Sequence, residues 1–219
     1  MKTWLCFATR MNNAGRSIKR PPLVLFFLLV ALVCGQVGCA GRPIKYYQLT
    51  YPEAVPATPD AINTTILVRP LEASRLYLDD KIVYGFAGPE MGTYQSHRWD
   101  APPVEILQDS LVRGLRASGR FKAVYTIRSD ANAEYVLAGQ LYDFKEVDLN
   151  PMVARLNYAV RLRSRKAGEI VWSHIYSHDE PASEKTVVAF VEAMNKNVQR
   201  SVQEIQAGLE EYYRAHPPN

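Results

Sequence analysis

Cys39 is the side chain whose setting says most about chemistry. It follows Val37-Gly38 and precedes Ala40, and small residues let an extended backbone enter a peptidase that cuts between Gly38 and Cys39. A thiol so placed is a candidate acceptor for a lipid. Cys34 is the competing acceptor, but Val33 is bulky just before its scissile bond. An ordinary signal peptide with incidental cysteines is the alternative. Elsewhere the residues offer little reactive chemistry. His174 and His178 would share one face of a strand about 13 Å apart, too far for one ion with bonds near ~2 Å. Asp179 and Glu180 beside them read as a charged turn. There is no G-x-S-x-G elbow and no phosphate-cradling glycine loop. The expectation is no catalytic residue, no metal and no cofactor beyond the lipid on Cys39.

The cut site needs a leader, and Met1–Gly38 supplies one. Leu23–Val33 is unbroken apolar and is preceded by Lys2, Arg10, Arg16, Lys19 and Arg20 without an acid, the pattern of a secretory signal. As a helix that run would reach only about 16 Å, half of a hydrocarbon core. Val37-Gly38-Cys39-Ala40 resembles a bacterial lipobox, with Gln36 where Leu is usual. The resemblance implies a thioether from the Cys39 thiol to diacylglycerol and an N-acyl chain on the amino group freed by the cut. Ala40 stands where an inner-membrane retention signal carries Asp, which by the same resemblance implies the periplasmic face of the outer membrane.

Removing residues 1–38 from 219 leaves 181, enough for one compact domain. The leader holds five of the 26 basic residues and none of the 22 acids, so the mature chain carries 21 against 22. The sequence pI near 8.9 therefore belongs to targeting, and no nucleic-acid partner is expected. Cys6 and Cys34 leave with the leader, so no disulfide can form.

Residues 39–63 read as a lipidated N-terminus and Pro-rich tether, with Tyr46–Leu49 a candidate first strand. Thr64–Leu71 reads as a buried strand, Leu76–Lys81 as a turn, and Ile82–Phe86 and Thr93–Trp99 as strands around the loop Ala87–Gly92. A helix is predicted from Pro102 to Ser118, capped by Asp100 and stopped by Gly119. Strands follow at Phe121–Ile127, Tyr135–Phe144, Met152–Ser164 and Ile170–Ser177. The third should bury Ala154, Leu156, Tyr158, Val160 and Leu162 and expose Arg155, Asn157, Arg161 and Arg163. The apolar steps Val187, Val191, Met194, Val198, Val202, Ile205, Leu209 and Tyr212 predict a long helix over Ser183–Ala215, covering the sheet or, alternatively, forming a coiled-coil seam. The fold class is α+β: one domain, residues 64–216, with a mostly antiparallel or mixed sheet and two helices on one face.

Two groups of residues are candidates for binding a partner. Leu76, Tyr77, Leu78, Tyr84 and Phe86 lie on or beside a loop, where tucked-in aromatics are the alternative. Arg155, Arg161 and Arg163 form a basic strand face that suits an acidic partner or anionic headgroups, unless they serve to discourage edge-to-edge pairing.

The chain resembles the ABC-type transport auxiliary lipoproteins, the group of paraquat-inducible protein C and YmbA-like proteins. The resemblance rests on Cys39 followed by Tyr46-Tyr47-Gln48-Leu49, on Ile66-Leu67-Val68, and on Leu78-Asp79 with Ile82-Val83-Tyr84. It continues through His97-Arg98-Trp99-Asp100-Ala101-Pro102-Pro103 and Gly119-Arg120-Phe121, with Gly85 departing from an expected basic residue. The resemblance implies a non-enzymatic lipoprotein on the outer membrane. Its partners would be an MCE-domain protein and the ABC permease and ATPase behind it, in intermembrane lipid transport. A homo-oligomer would follow if several copies meet one ring-shaped partner. A free-standing lipoprotein that assists assembly of outer-membrane or cell-wall machinery is the alternative.

Overall fold

A side chain on every second residue points to the same face of a strand, and residues 154–164 follow that rule. Ala154, Leu156, Tyr158, Val160 and Leu162 are buried, while Arg161 and Arg163 are exposed on the other side. A computed structural model describes residues 42–219 apart from 52–57, 59, 87, 128–131 and 219. The leader, the cut site and Cys39 lie outside the described residues.

The strands are β1 (Lys45–Tyr47), β2 (Ile62–Val68), β3 (Glu72–Ala73), β4 (Lys81–Gly85), β5 (Met91–Trp99), β6 (Phe121–Thr126), β7 (Tyr135–Val147), β8 (Val153–Ser164) and β9 (Ile170–Pro181). A short 3-10 turn covers Arg75–Tyr77, and the helices are α1 (Pro103–Ala117) and α2 (Val187–Ala215). The globular body takes in residues ahead of Thr64: β1 joins the sheet, Leu49 is buried, and Thr50 exchanges hydrogen bonds with Asn195.

The long strand β7 is the hub of a mixed sheet. One edge pairs antiparallel with β8, which pairs antiparallel with β9. The other edge is shared by three strands in succession, all parallel to β7: β2 near its start, β3 in the middle and β4 near its end. The sheet therefore forks. One branch adds β6 beside β2, and the other adds β5 beside β4 and then β1 beside β5. A register shift between Leu141 and Asp143 lets the buried series Leu137, Leu141 continue as Phe144, Glu146, the behaviour of a bulge.

Both helices pack on one face. Trp99 on β5 meets Phe144 on β7 at 5.3 Å and Phe190 on α2 at 5.9 Å between ring centroids. Helix α1 lays Ile106, Leu107, Leu111 and Leu115 into the same core. The helices approach closely at Gly114, where a Cβ would collide with Val202. Asn197, fully buried on α2, is satisfied by polar bonds: its Nδ2 donates to the Ala154 carbonyl at 2.8 Å and the His178 carbonyl at 3.0 Å, and its Oδ1 accepts from the Tyr176 hydroxyl at 2.6 Å. This side chain ties α2 to β8 and β9 at once.

Three local expectations are corrected. Pro102, not Asp100, occupies the cap position of α1, with no side-chain cap; the Asp100 amide instead donates to the Tyr47 carbonyl at 2.9 Å, closing β1. Helix α2 starts at Val187 rather than Ser183, because the Thr186 hydroxyl accepts from the Ala189 amide. At its far end Tyr213, not Tyr212, enters the core, meeting Tyr135 at 5.4 Å and Phe121 at 6.2 Å. The left-handed stop at Gly119 is as expected, with φ of 62°.

Candidate interaction surfaces

The turn after β3 sorts its side chains by geometry. A 3-10 turn spends only three residues per revolution, so neighbours point in different directions. Tyr77 turns inward and is 2% exposed, whereas Leu78, the next residue, is 53% exposed. Tyr77 is thus a core residue and leaves the set expected to touch a partner. Leu76 is half-buried against the core. The turn is pinned to β5 by Arg98, whose Nη1 donates to Asp80 at 2.6 Å, and by the Trp99 amide donating to the Asp80 carbonyl at 2.7 Å. Leu78 is consequently held out on a fixed support.

At the other end of β4 and the start of β5, Phe86 and Met91 are also exposed, as are Ile44 and Tyr46 around the edge strand β1. Phe86 heads a run of ring contacts. It meets Tyr84 at 6.0 Å, Tyr84 meets Tyr94 at 5.1 Å, Tyr94 meets His97 at 5.6 Å, and His97 stacks on Tyr47 at 5.6 Å. The Tyr47 hydroxyl and His97 Nδ1 are 2.8 Å apart. The Tyr94 hydroxyl donates to the Glu146 carboxylate, 3.0 Å from either oxygen. Burial pushes the Glu146 carboxyl above its ordinary value, against the pull of the Tyr94 bond, and Asp148 adds to the rise. Burial, and then the Glu146 charge, likewise raise Tyr94, while burial and then Lys45 lower His97. The residues missed in sequence, Tyr47, Tyr94, His97 and Glu146, come from β1, β5 and β7. Only the Tyr84–Phe86 spacing gave a local signal.

The arginine face divides. Arg155 is bound to Asp179 through two bonds, Nε to Oδ1 at 2.8 Å and Nη2 to Oδ2 at 2.6 Å, and Lys145 pairs with Asp143 at 2.7 Å. Arg163 donates to the Gly168 carbonyl at 2.8 Å. Arg161 is exposed, with no hydrogen bond or ion pair among the described residues. These side chains are not placed to guard an edge, because β8 is hydrogen-bonded on both sides and β9 is the edge.

The two histidines keep separate company. His174 Nε2 lies 2.7 Å from Glu204, and His178 Nε2 lies 3.2 Å from Glu180, which also accepts from Arg200 at 2.8 Å. Among the described residues, no three His, Cys, Asp or Glu are placed to hold a metal ion. No helix among them is long and apolar enough to cross a membrane.

A forked mixed sheet with both helices on one side defines a single α+β body, which displays an apolar turn, an apolar hairpin end and a partly unpaired arginine face. The sequence pattern of the ABC-type transport auxiliary lipoprotein component matches residues 47–206, and the chain belongs to that family. The crystal structure of XCC0632 from Xanthomonas campestris shares the fold, with TM-score 0.65 and 21% identity over 75% of this chain and 93% of that one. A second solved structure, of an uncharacterized protein, has TM-score 0.61 and 12% identity over 77% and 99% of the two chains. No curated protein sequence matches significantly.

Proposed function

We propose that the chain is a non-enzymatic outer-membrane lipoprotein, anchored through acylated Cys39, that docks the periplasmic MCE assembly of an ABC-type lipid transporter. Membership of the auxiliary lipoprotein family supports a transporter as partner. The observation that carries the docking role is the exposure of Leu78 and Phe86, at 53% and 47%, on supports that the fold holds in place. Apolar side chains displayed at fixed positions just beyond the two ends of a paired strand suit a protein contact. The anchor suits the same task, since one acyl chain binds marginally and two or more hold a body at the membrane. Several copies would meet a ring-shaped partner as a homo-oligomer.

A photo-crosslinking residue in place of Phe86, in cells that make the lipidated chain, should capture the MCE-domain protein. Phe86→Asp and Leu78→Asp should each abolish copurification of that protein while leaving the unfolding free energy within about 0.5 kcal/mol of wild type, as surface changes do. Capture of no MCE-domain protein, or copurification that survives both changes, refutes the docking role. Mass spectrometry showing residues upstream of an unmodified Cys39 refutes the anchor.

A further inference from the structure

On the sheet face away from the helices, β2, β7 and β8 bring together arginines that lie far apart in the sequence. Val68 pairs with Leu137, so the next residue, Arg69, falls beside Ala138, and Ala138 pairs with Arg161. Arg69 and Arg161 are exposed, and neither side chain has a hydrogen bond or ion pair among the described residues. They are rooted two strand spacings apart, about 10 Å, with only a methyl group between them. Arg163 is two residues from Arg161, about 7 Å along β8, and spends one nitrogen on a backbone carbonyl. Elsewhere on this face Arg155 and Lys145 are neutralised by Asp179 and Asp143, and Glu72 sits at the rung beyond Ala138, opposite Gln140. The unpaired positive charge is therefore gathered around Ala138. Ile175, 71% exposed, lies across from Ala159 on the neighbouring rung, and Tyr142 is exposed further along β7.

We propose that this face is a seat for the phosphate headgroups of anionic phospholipid, which orients the body against the membrane that holds its anchor. Guanidinium forks on either side of a small residue can close together on one phosphate, each with paired donors. The exposed Ile175 and Tyr142 supply the apolar and amphipathic contact that an interface rewards. An arginine cluster beside exposed apolar side chains suits headgroups that rearrange around it better than an acidic protein segment of fixed shape. Each arginine near an anionic surface adds roughly fivefold to partition, so three contribute on the order of a hundredfold. That is weak for a free protein and sufficient to orient one already tethered. The proposal rests on the acylated anchor of the preceding reading.

The test uses the full lipidated chain carrying Ile175→Cys, reconstituted in phosphatidylcholine vesicles with and without phosphatidylglycerol. A water-soluble maleimide should label this thiol roughly tenfold more slowly when phosphatidylglycerol is present. A thiol at Gln199→Cys, on the exposed side of α2, should label equally in both. High salt should remove the protection. So should combining R69E, R161E and R163E, or the milder R69Q with R161Q, provided circular dichroism shows the variants folded. Equal labelling of Ile175→Cys in both vesicles overturns the proposal. So does protection that appears only when an acidic partner protein is added. An unacylated chain fails to load into either vesicle, which defeats the anchor reading and is seen before any labelling ratio is taken.

Discussion

Replacing Asn197 by Ala should destabilise the protein by about 3 kcal/mol, taking roughly 1 kcal/mol for each of three intramolecular bonds. The three are the two donated by Nδ2 to the Ala154 and His178 carbonyls and the one accepted by Oδ1 from Tyr176. This is a lower bound, since partner groups are left in a dry site, each at about 1–3 kcal/mol if it finds no other bond. In urea, with a slope of about 1–3 kcal/mol per molar, the midpoint should fall by roughly 1–3 M. Tyr176→Phe removes one hydroxyl and one of the three bonds, so it should cost about 1 kcal/mol. Because the two side chains share that bond, the double variant should cost less than the sum, with a coupling of about 0.5–3 kcal/mol. The chain from residue 40 onward is suitable for the measurement, since Pro43–Asn219 forms one compact unit. An N197A variant within about 0.5 kcal/mol of wild type, the scatter of neutral surface changes, would refute the account. So would strict additivity with Y176F.

Two further outcomes follow from the site and the sheet. Burial raises the Glu146 carboxyl in the folded state, so the folded chain binds its proton more tightly than the unfolded chain does. That contribution to stability is present below the ordinary glutamate pKa and is lost as pH rises through the folded value. Glu146→Gln, which stays neutral, should therefore gain on wild type between pH 4 and pH 7 in urea titrations; a constant difference across that range would contradict the shift. At Gly139 a Cβ would run into the Ala159 carbonyl of β8, so Gly139→Ala should separate the two strands locally, cost about 1–3 kcal/mol as overpacking does, and speed amide exchange along β8; unchanged exchange would show that the strands give way freely.

What the sequence made legible was local pattern. Strand β8 could be read because an apolar residue stands at every second position from Ala154 to Leu162, with arginines at three of the places around them. Helix α2 could be read because its stripe persists over many turns, and the stop at Gly119 because a left-handed residue favours glycine. The start of α2 was harder, since Ser183 and Thr186 are both acceptable caps and only the position of the Ala189 amide chooses between them. Asp100 was misread for a tertiary reason: its backbone is taken by Tyr47, a partner fifty-three positions earlier. Strand β1 was legible locally only as the short candidate Tyr46–Leu49; its parallel pairing with a distant segment was not. The aromatic run and the Arg69–Ala138–Arg161 row were out of reach for the same reason. Each is assembled across strands whose pairing is set by the whole sheet, not by spacing along the chain.

The forked sheet explains why the two candidate surfaces can serve different tasks. Strand β7 carries both, through β4 and β5 near its end and through β2 and β8 near its start. A strand with regular alternation would keep odd residues on one face throughout. Here the shift between Leu141 and Asp143 exchanges the parity, so Leu137 and Phe144 share the core face although one has an odd and the other an even number. With regular alternation carried on from Leu141, Asp143 and Lys145 would face the helices, and Phe144 and Glu146 would face away. The core contact of Phe144 with Trp99 and the bond from Tyr94 to Glu146 would both be lost. One extra residue in β7 thus lets a charge pair, Asp143 and Lys145, stay at the surface beside the arginine face while an apolar core continues beneath the β4–β5 hairpin. The hairpin can then end in exposed Phe86 without its aromatic support being drawn to the wrong side.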